Sequence, residues 1–144
     1  MIKLISWAAM ILCMGMIFNL SSQVAEQSNK LSTRFTKMVF KVLEKVAPRT
    51  NYNIGRLNHI VRKNAHFFTY FILGILVLNV LRKSGVQGYK SIILAAAICV
   101  IYAVSDEIHQ LFVHGRGAQV RDVFIDSTGA SVGIGVFILI DRLL

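Results

Sequence analysis

Between Val104 and Gly129 the chain reads VSDEIHQLFVHGRGAQVRDVFIDSTG, and this stretch carries most of the residues able to do chemistry. Asp106, His109 and Gln110 are spaced so that they share one face of a helix. Lys63, His66 and Tyr70 repeat that spacing upstream, and Asp122 and Asp126 repeat it downstream. A histidine beside an Asp or Glu can transfer protons near neutral pH. Glu107, next to Asp106, is a second carboxylate able to orient such a histidine. Lys63 and Arg116 are the residue types that hold phosphates or carboxylates, and arginine does so with a bidentate fork. Gly115 and Gly117 flank Arg116, so a headgroup can approach the backbone closely there.

Three readings of these residues compete. Lys63 or Arg116 can neutralise Asp106, Glu107 or Asp122 and form a polar lock that only fixes helix register. Two histidines with several carboxylates can hold a metal, but no HExxH or comparable spacing is present, so no metal is assigned. In the third reading Lys63, Arg116 and Arg121 hold an anion while His and Asp or Glu move protons. No nucleophilic Ser or Cys motif supports covalent catalysis, and the residues name no cofactor.

The elements that must position these groups are apolar. Hydrophobic residues make up 55% and charged residues 16% of the 144, and mean hydropathy is +0.60. Soluble domains carry about 25% charged residues, so this chain reads as a membrane protein. Its net charge of +9 fits contact with anionic lipid headgroups. No basic module interleaved with aromatics points to nucleic acid. Cys13 and Cys99 both lie in apolar runs and read as buried free thiols.

A hydrocarbon core takes roughly 20 apolar residues per helix. Four stretches reach about that length, at residues 4–20, 65–81, 91–112 and 122–140. The first is longer than a secretory h-region and lacks a small-x-small cleavage site, so it reads as a retained anchor. Gly129 and Gly133 form a small-xxx-small pair in the fourth, a spacing that lets helices approach closely. Between the first two spans, residues 31–46 place Leu31, Phe35, Met38, Val39, Val42, Leu43 and Val46 on one helical face. Arg34, Lys37, Lys41 and Lys45 fall opposite, the pattern of a basic helix lying in the membrane interface. Pro48 ends it.

Parity then fixes which ends meet. The end of span one, the start of span two, the end of span three and the start of span four share one membrane side. Ser21 and Ser22, Lys63 with His66 and Tyr70, Asp106 with His109, and Asp122 with Asp126 all fall there. Isolated ionisable groups in lipid are costly, so these stripes must face one another or a water-filled cavity.

RKNAHFFTYFILG followed by SDEIHQLFVHGRGAQVRDVFIDSTGASVG resembles the VanZ-like family of small bacterial membrane proteins. That family opens a span with Lys, His and Tyr, matched by Lys63, His66 and Tyr70, with Gly74 after them. Its Ser-Asp-Glu-x-His-Gln is matched by Ser105, Asp106, Glu107, His109 and Gln110. The Arg, Asp and two glycines that follow are matched by Arg116, Asp122, Gly129 and Gly133, and FNLSSQ resembles the end of its first span. Asp126 departs from the family's usual Asn, and His114 from a common Pro. The resemblance implies an envelope setting, since the founding member is associated with lowered susceptibility to teicoplanin. It implies no particular reaction.

Charge leaves the orientation contested. Lys3, Arg82, Lys83, Lys90 and Arg142 lie on one side, and the other 11 of the 16 Lys and Arg on the cluster's side. The positive-inside rule would make that side cytoplasmic. Most of those 11 sit in the long loop with the basic helix, and a cell-wall phenotype favours an outward site, so an outward site is expected. The expectation is an all-α protein of four transmembrane helices and one interfacial helix in the bacterial cell membrane. It forms a single VanZ-like domain over residues 1–144. Its one-sided cluster binds, and in the fuller version modifies, an anionic lipid or glycolipid headgroup. His66, Asp106, Glu107, His109 and Asp122 are the proton-transfer candidates; Lys63, Tyr70, Gln110, Arg116 and Asp126 are the ligand-holding candidates. The alternative is a non-catalytic binder or scaffold whose cluster is a helix lock.

Overall fold

A computed structural model describes residues 2–23 and 54–143, with positions 33 and 38 besides. Its elements are α1 (Ile2–Ser21), α2 (Ile54–Lys83), α3 (Gly88–Gln110) and α4 (Val120–Leu143). No strand occurs among the described residues. The expected interfacial helix over residues 31–46 lies outside the described residues, apart from Thr33 and Met38, both helical.

Four stretches within these helices are long and apolar enough to cross a membrane: Lys3–Ser21, Ile60–Lys83, Gly88–Gln110 and Val120–Leu143. Their outer faces carry exposed Leu4, Leu12, Phe68, Ile93, Ile101, Phe124 and Leu139. So much exposed apolar surface suits hydrocarbon and not water. The chain is therefore a multi-pass membrane protein.

Two boundaries differ from the apolar runs. The second helix begins at Ile54, well before Ala65. A helix satisfies its own backbone hydrogen bonds and needs no apolar composition to extend past the hydrocarbon. That extension carries Arg62 and Lys63. The third helix stops at Gln110, short of Phe112, because its last turn tightens: the Leu111 and Phe112 N–H groups donate to the Ile108 and His109 carbonyls.

Between α2 and α3 the chain reverses through a Schellman cap. The Val86 N–H donates to Leu81 O at 3.0 Å and the Gly85 N–H to Arg82 O at 3.1 Å. Gly85 has φ of 98°, a conformation that glycine adopts without steric cost.

The core joins all four helices. Leu73, Val77, Leu78 and Val80 of α2 meet Met10, Cys13 and Ile17 of α1, Ala95, Cys99 and Ala103 of α3, and Ala130 and Ile134 of α4. Both cysteines are buried free thiols. The most extensive packing is α2 on α4. A Cβ added at Gly129 would collide with the Phe67 carbonyl, one at Gly133 with the Phe71 carbonyl, and one at Gly74 with the Ala130 carbonyl. Gly129 and Gly133 climb α4 as Phe67 and Phe71 climb α2, so the two helices run parallel in backbone contact. In lipid, where burying apolar area gives little drive for association, such close approach is what holds helices together.

Candidate functional site

The site forms where the α1 C-terminus, the α2 N-terminal half, the α3 C-terminus and the α4 N-terminus converge. At its centre are Tyr70, Asp106 and Asp126, with exposures of 0%, 3% and 0%. Ser21 of α1 donates from Oγ to Asp106 Oδ2 at 2.7 Å, and Gln110 Nε2 reaches the same oxygen at 3.3 Å. Asp106 Oδ1, both Asp126 oxygens and the Tyr70 hydroxyl are buried without hydrogen-bond partners. His66 Nδ1 stands 3.7 Å from Asp126 Oδ2, beyond hydrogen-bond length. One donor atom each from His66, Asp106 and Asp126 lie within 4.8 Å of one another, a grouping able to hold a metal among the described residues.

Around that centre Lys63, Glu107 and Arg116 are engaged. Lys63 Nζ meets Asp122 Oδ1 at 2.5 Å. Glu107 Oε2 accepts the Gln119 backbone N–H at 2.8 Å, immediately before α4 begins. A carboxylate there satisfies a helix-end donor and complements the positive end of the dipole. Arg116 reaches back to α1, with Nη1 donating to the Ser21 carbonyl at 3.1 Å and Nη2 to the Leu20 carbonyl at 3.5 Å. It thereby caps carbonyls left open at a helix C-terminus. Its Nε is buried and unpartnered. Burial, then the neighbouring Arg62 charge, pull its guanidinium below the ordinary pKa.

His109 turns to a different neighbour. Its Nε2 lies 3.2 Å from Ser22 Oγ, and its ring packs on Phe18 with centroids 4.4 Å apart. A cleft beside the centre is lined by Arg62, Lys63, His66, Gln110, Arg116, Asp122, Ile125 and Asp126.

The ten candidate site residues expected from the sequence fall in this region, but in separate arrangements, while Arg121, also expected to hold an anion, is exposed at the start of α4 and outside the cleft lining. His66, Tyr70, Asp106, Gln110 and Asp126 converge. Lys63 with Asp122, Glu107 with the α4 start, and Arg116 with α1 form three joints around them. His109 packs against α1. Sequence reasoning passed over Ser21 and Arg62 as site residues. Ser21 had a signal, the FNLSSQ end of the first span on the cluster's side; Arg62 had one in its place beside Lys63.

No curated protein and no solved structure matches the chain. A family model described as VanZ/LLP1 matches residues 6–141, nearly its whole length and every residue of the site just described, and the chain therefore belongs to the VanZ-like family.

Proposed function

We propose that the chain binds the anionic headgroup of a cell-envelope lipid or glycolipid at this end of the bundle, in the bacterial cell membrane and facing outward. The observation that carries the reading is that Arg62, Lys63 and Arg116 line one cleft at the level where the apolar spans begin. Cations at that depth meet phosphates. Lys63 is neutralised by Asp122, whereas Arg116 donates only to uncharged carbonyls and Arg62 has no hydrogen-bond partner among the described residues, so these two keep positive charge for an anion. Burial first, and then the Arg62 charge, disfavour the Arg116 guanidinium, and an anion held between the two arginines would offset that repulsion. The enclosed part of the cleft has room for about one water-sized group, so a phosphate sits at its mouth. In the fuller version the bound headgroup lies beside His66 and Asp126, which line the same cleft, and altered teicoplanin susceptibility follows from holding the headgroup there.

The scaffold reading is favoured by the three joints, which couple helices without any ligand. It leaves Arg62, Asp126 and the Tyr70 hydroxyl without a role.

Arg62→Gln separates the two readings, because Arg62 has no hydrogen-bond partner among the described residues. Native mass spectrometry of the purified chain should show retained anionic lipid, and the variant should lose most of it with an unchanged melting midpoint. Equal lipid retention by the variant and the wild type would overturn headgroup binding. Teicoplanin susceptibility of cells making each form, measured in parallel, should follow the lipid.

A further inference from the structure

The headgroup reading uses the cations at the mouth and leaves the innermost groups unexplained. Asp106 and Asp126 come from different helices, are almost wholly buried, and have three carboxylate oxygens without partners between them. Buried carboxylates normally find a cation or donors. None of the cleft's lysine and arginine side chains bonds these carboxylates: Lys63 pairs with Asp122, Arg116 donates to the Ser21 and Leu20 carbonyls, and Arg62 has no hydrogen-bond partner among the described residues. Among the described residues the basic group paired closest to them is His66, 3.7 Å from Asp126. A further buried polar group lies at the same level of α2. The Tyr70 hydroxyl is fully buried and unpartnered, one helical turn from His66 and within electrostatic reach of both carboxylates.

We propose that His66, Asp106 and Asp126 bind one divalent transition metal of the zinc or manganese class, with the Tyr70 hydroxyl beside it. One imidazole nitrogen with carboxylate oxygens is a donor set of intermediate hardness. Thiolates would favour copper(I), and an all-oxygen set would favour calcium or magnesium. Both cysteines are core residues outside this cluster. Two carboxylates and a divalent ion are neutral together, which removes the charge that the buried aspartates otherwise carry. Donors bonded to zinc at roughly 2.0–2.2 Å stand about 3.5 Å apart, so binding an ion requires the present spread of up to 4.8 Å to narrow. Asp106 keeps Ser21 and Gln110 on Oδ2, and this orients its free Oδ1 as outer hydrogen bonds orient metal ligands. The site stands whether or not a lipid binds at the cleft mouth.

The test uses the full chain in detergent, made without a histidine tag, stripped with a chelator and titrated with zinc or manganese chloride. One ion should bind per chain and raise the melting midpoint. Asp126→Asn and His66→Ala should each weaken binding at least about tenfold, while Asp141→Asn at the far end leaves it unchanged. Electron spin echo measurements on the manganese-loaded wild type should show coupling to one imidazole nitrogen, and this readout stands even where a variant fails to fold. Absence of saturable binding, affinity indifferent to Asp126→Asn and His66→Ala, or bound manganese without nitrogen coupling would each overturn the proposal. In that event water or shared protons satisfy the aspartates. Lipid retention, measured on the same samples, reports on headgroup binding separately.

Discussion

The two ends of the helix bundle handle polar residues in opposite ways. At the far end Arg82 of α2 pairs with Asp141 of α4, whose side chain is 54% exposed, and Lys83 and Asn79 donate to Ser6 of α1. Arg82 and Asp141 meet at the rim, where water and lipid headgroups remain within reach, and the buried Ser6 hydroxyl receives the Lys83 and Asn79 donors there. At the cluster end Asp126 is fully buried with both oxygens unpartnered, and Asp106 is satisfied through only one oxygen. Charges at the rim anchor helices at an interface and cost little to keep there. Charges one or two turns inside cost several kcal/mol each unless something compensates them. The contrast separates anchoring from function more sharply than the one-sided charge pattern does.

The largest effect should come from separating the two buried aspartates. Asp106→Ala removes the acceptor of the fully buried Ser21 hydroxyl and of Gln110, leaving both without their partner. Losing a charge-assisted hydrogen bond and stranding a buried donor should lower stability by about 3 kcal/mol. Asp126→Asn removes a charge that holds nothing in the metal-free chain, so stability should stay within about 1 kcal/mol of wild type or rise. Thermal unfolding of both variants in one detergent, with chelator present, checks this. Equal destabilisation would mean that Asp126 is held structurally, and the contrast between the ends would fail.

The joints around the centre should show an intermediate effect. The Lys63 and Asp122 side chains are 15% and 23% exposed and link α2 to α4 just above the Gly129 and Gly133 contacts. A double-mutant cycle with Lys63→Met and Asp122→Asn should give a coupling of roughly 1–2 kcal/mol, with weak dependence on salt because the pair is largely screened from ions. A coupling near zero would place the pair with the rim charges.

How much of this could be read from the chain follows from what decides each feature. Span length, helical spacing and parity are local or countable, so the four helices and the convergence of His66, Asp106 and Asp126 were legible. The Gly129–Gly133 pair was legible as a spacing, though its partners Phe67 and Phe71 were not. The pairings within the cluster were opaque. Lys63 faces three possible carboxylates in the sequence, and only the packing of α2 on α4 selects Asp122. Glu107 reads as a catalytic carboxylate until the 111–119 loop brings the Gln119 N–H to it. Arg116 reads as a ligand clamp until that loop carries it to the end of α1. That these three residues, one from each of three helices, bring donor atoms within 4.8 Å of one another depends on packing, which spacing and parity do not specify.

The smallest effect belongs to the far end, where it defines the baseline for the others. Arg82 both pairs with Asp141 and lies over the Phe137 ring, 5.5 Å from its centroid. Asp141→Asn removes only the ion pair, which at that exposure should change stability by a few tenths of a kcal/mol and less in high salt. Arg82→Ala also removes the cation–π contact, adding about 0.5 kcal/mol that salt should not erase. The two variants measured at low and high salt therefore isolate the ring contact from the ion pair. Neither should alter lipid retention or metal affinity, since both residues sit at the opposite end from the cleft. A far-end substitution that displaced the lipid or the ion would show that the two ends are coupled through the α2–α4 contact, and the division between anchoring and functional charge would have to be redrawn.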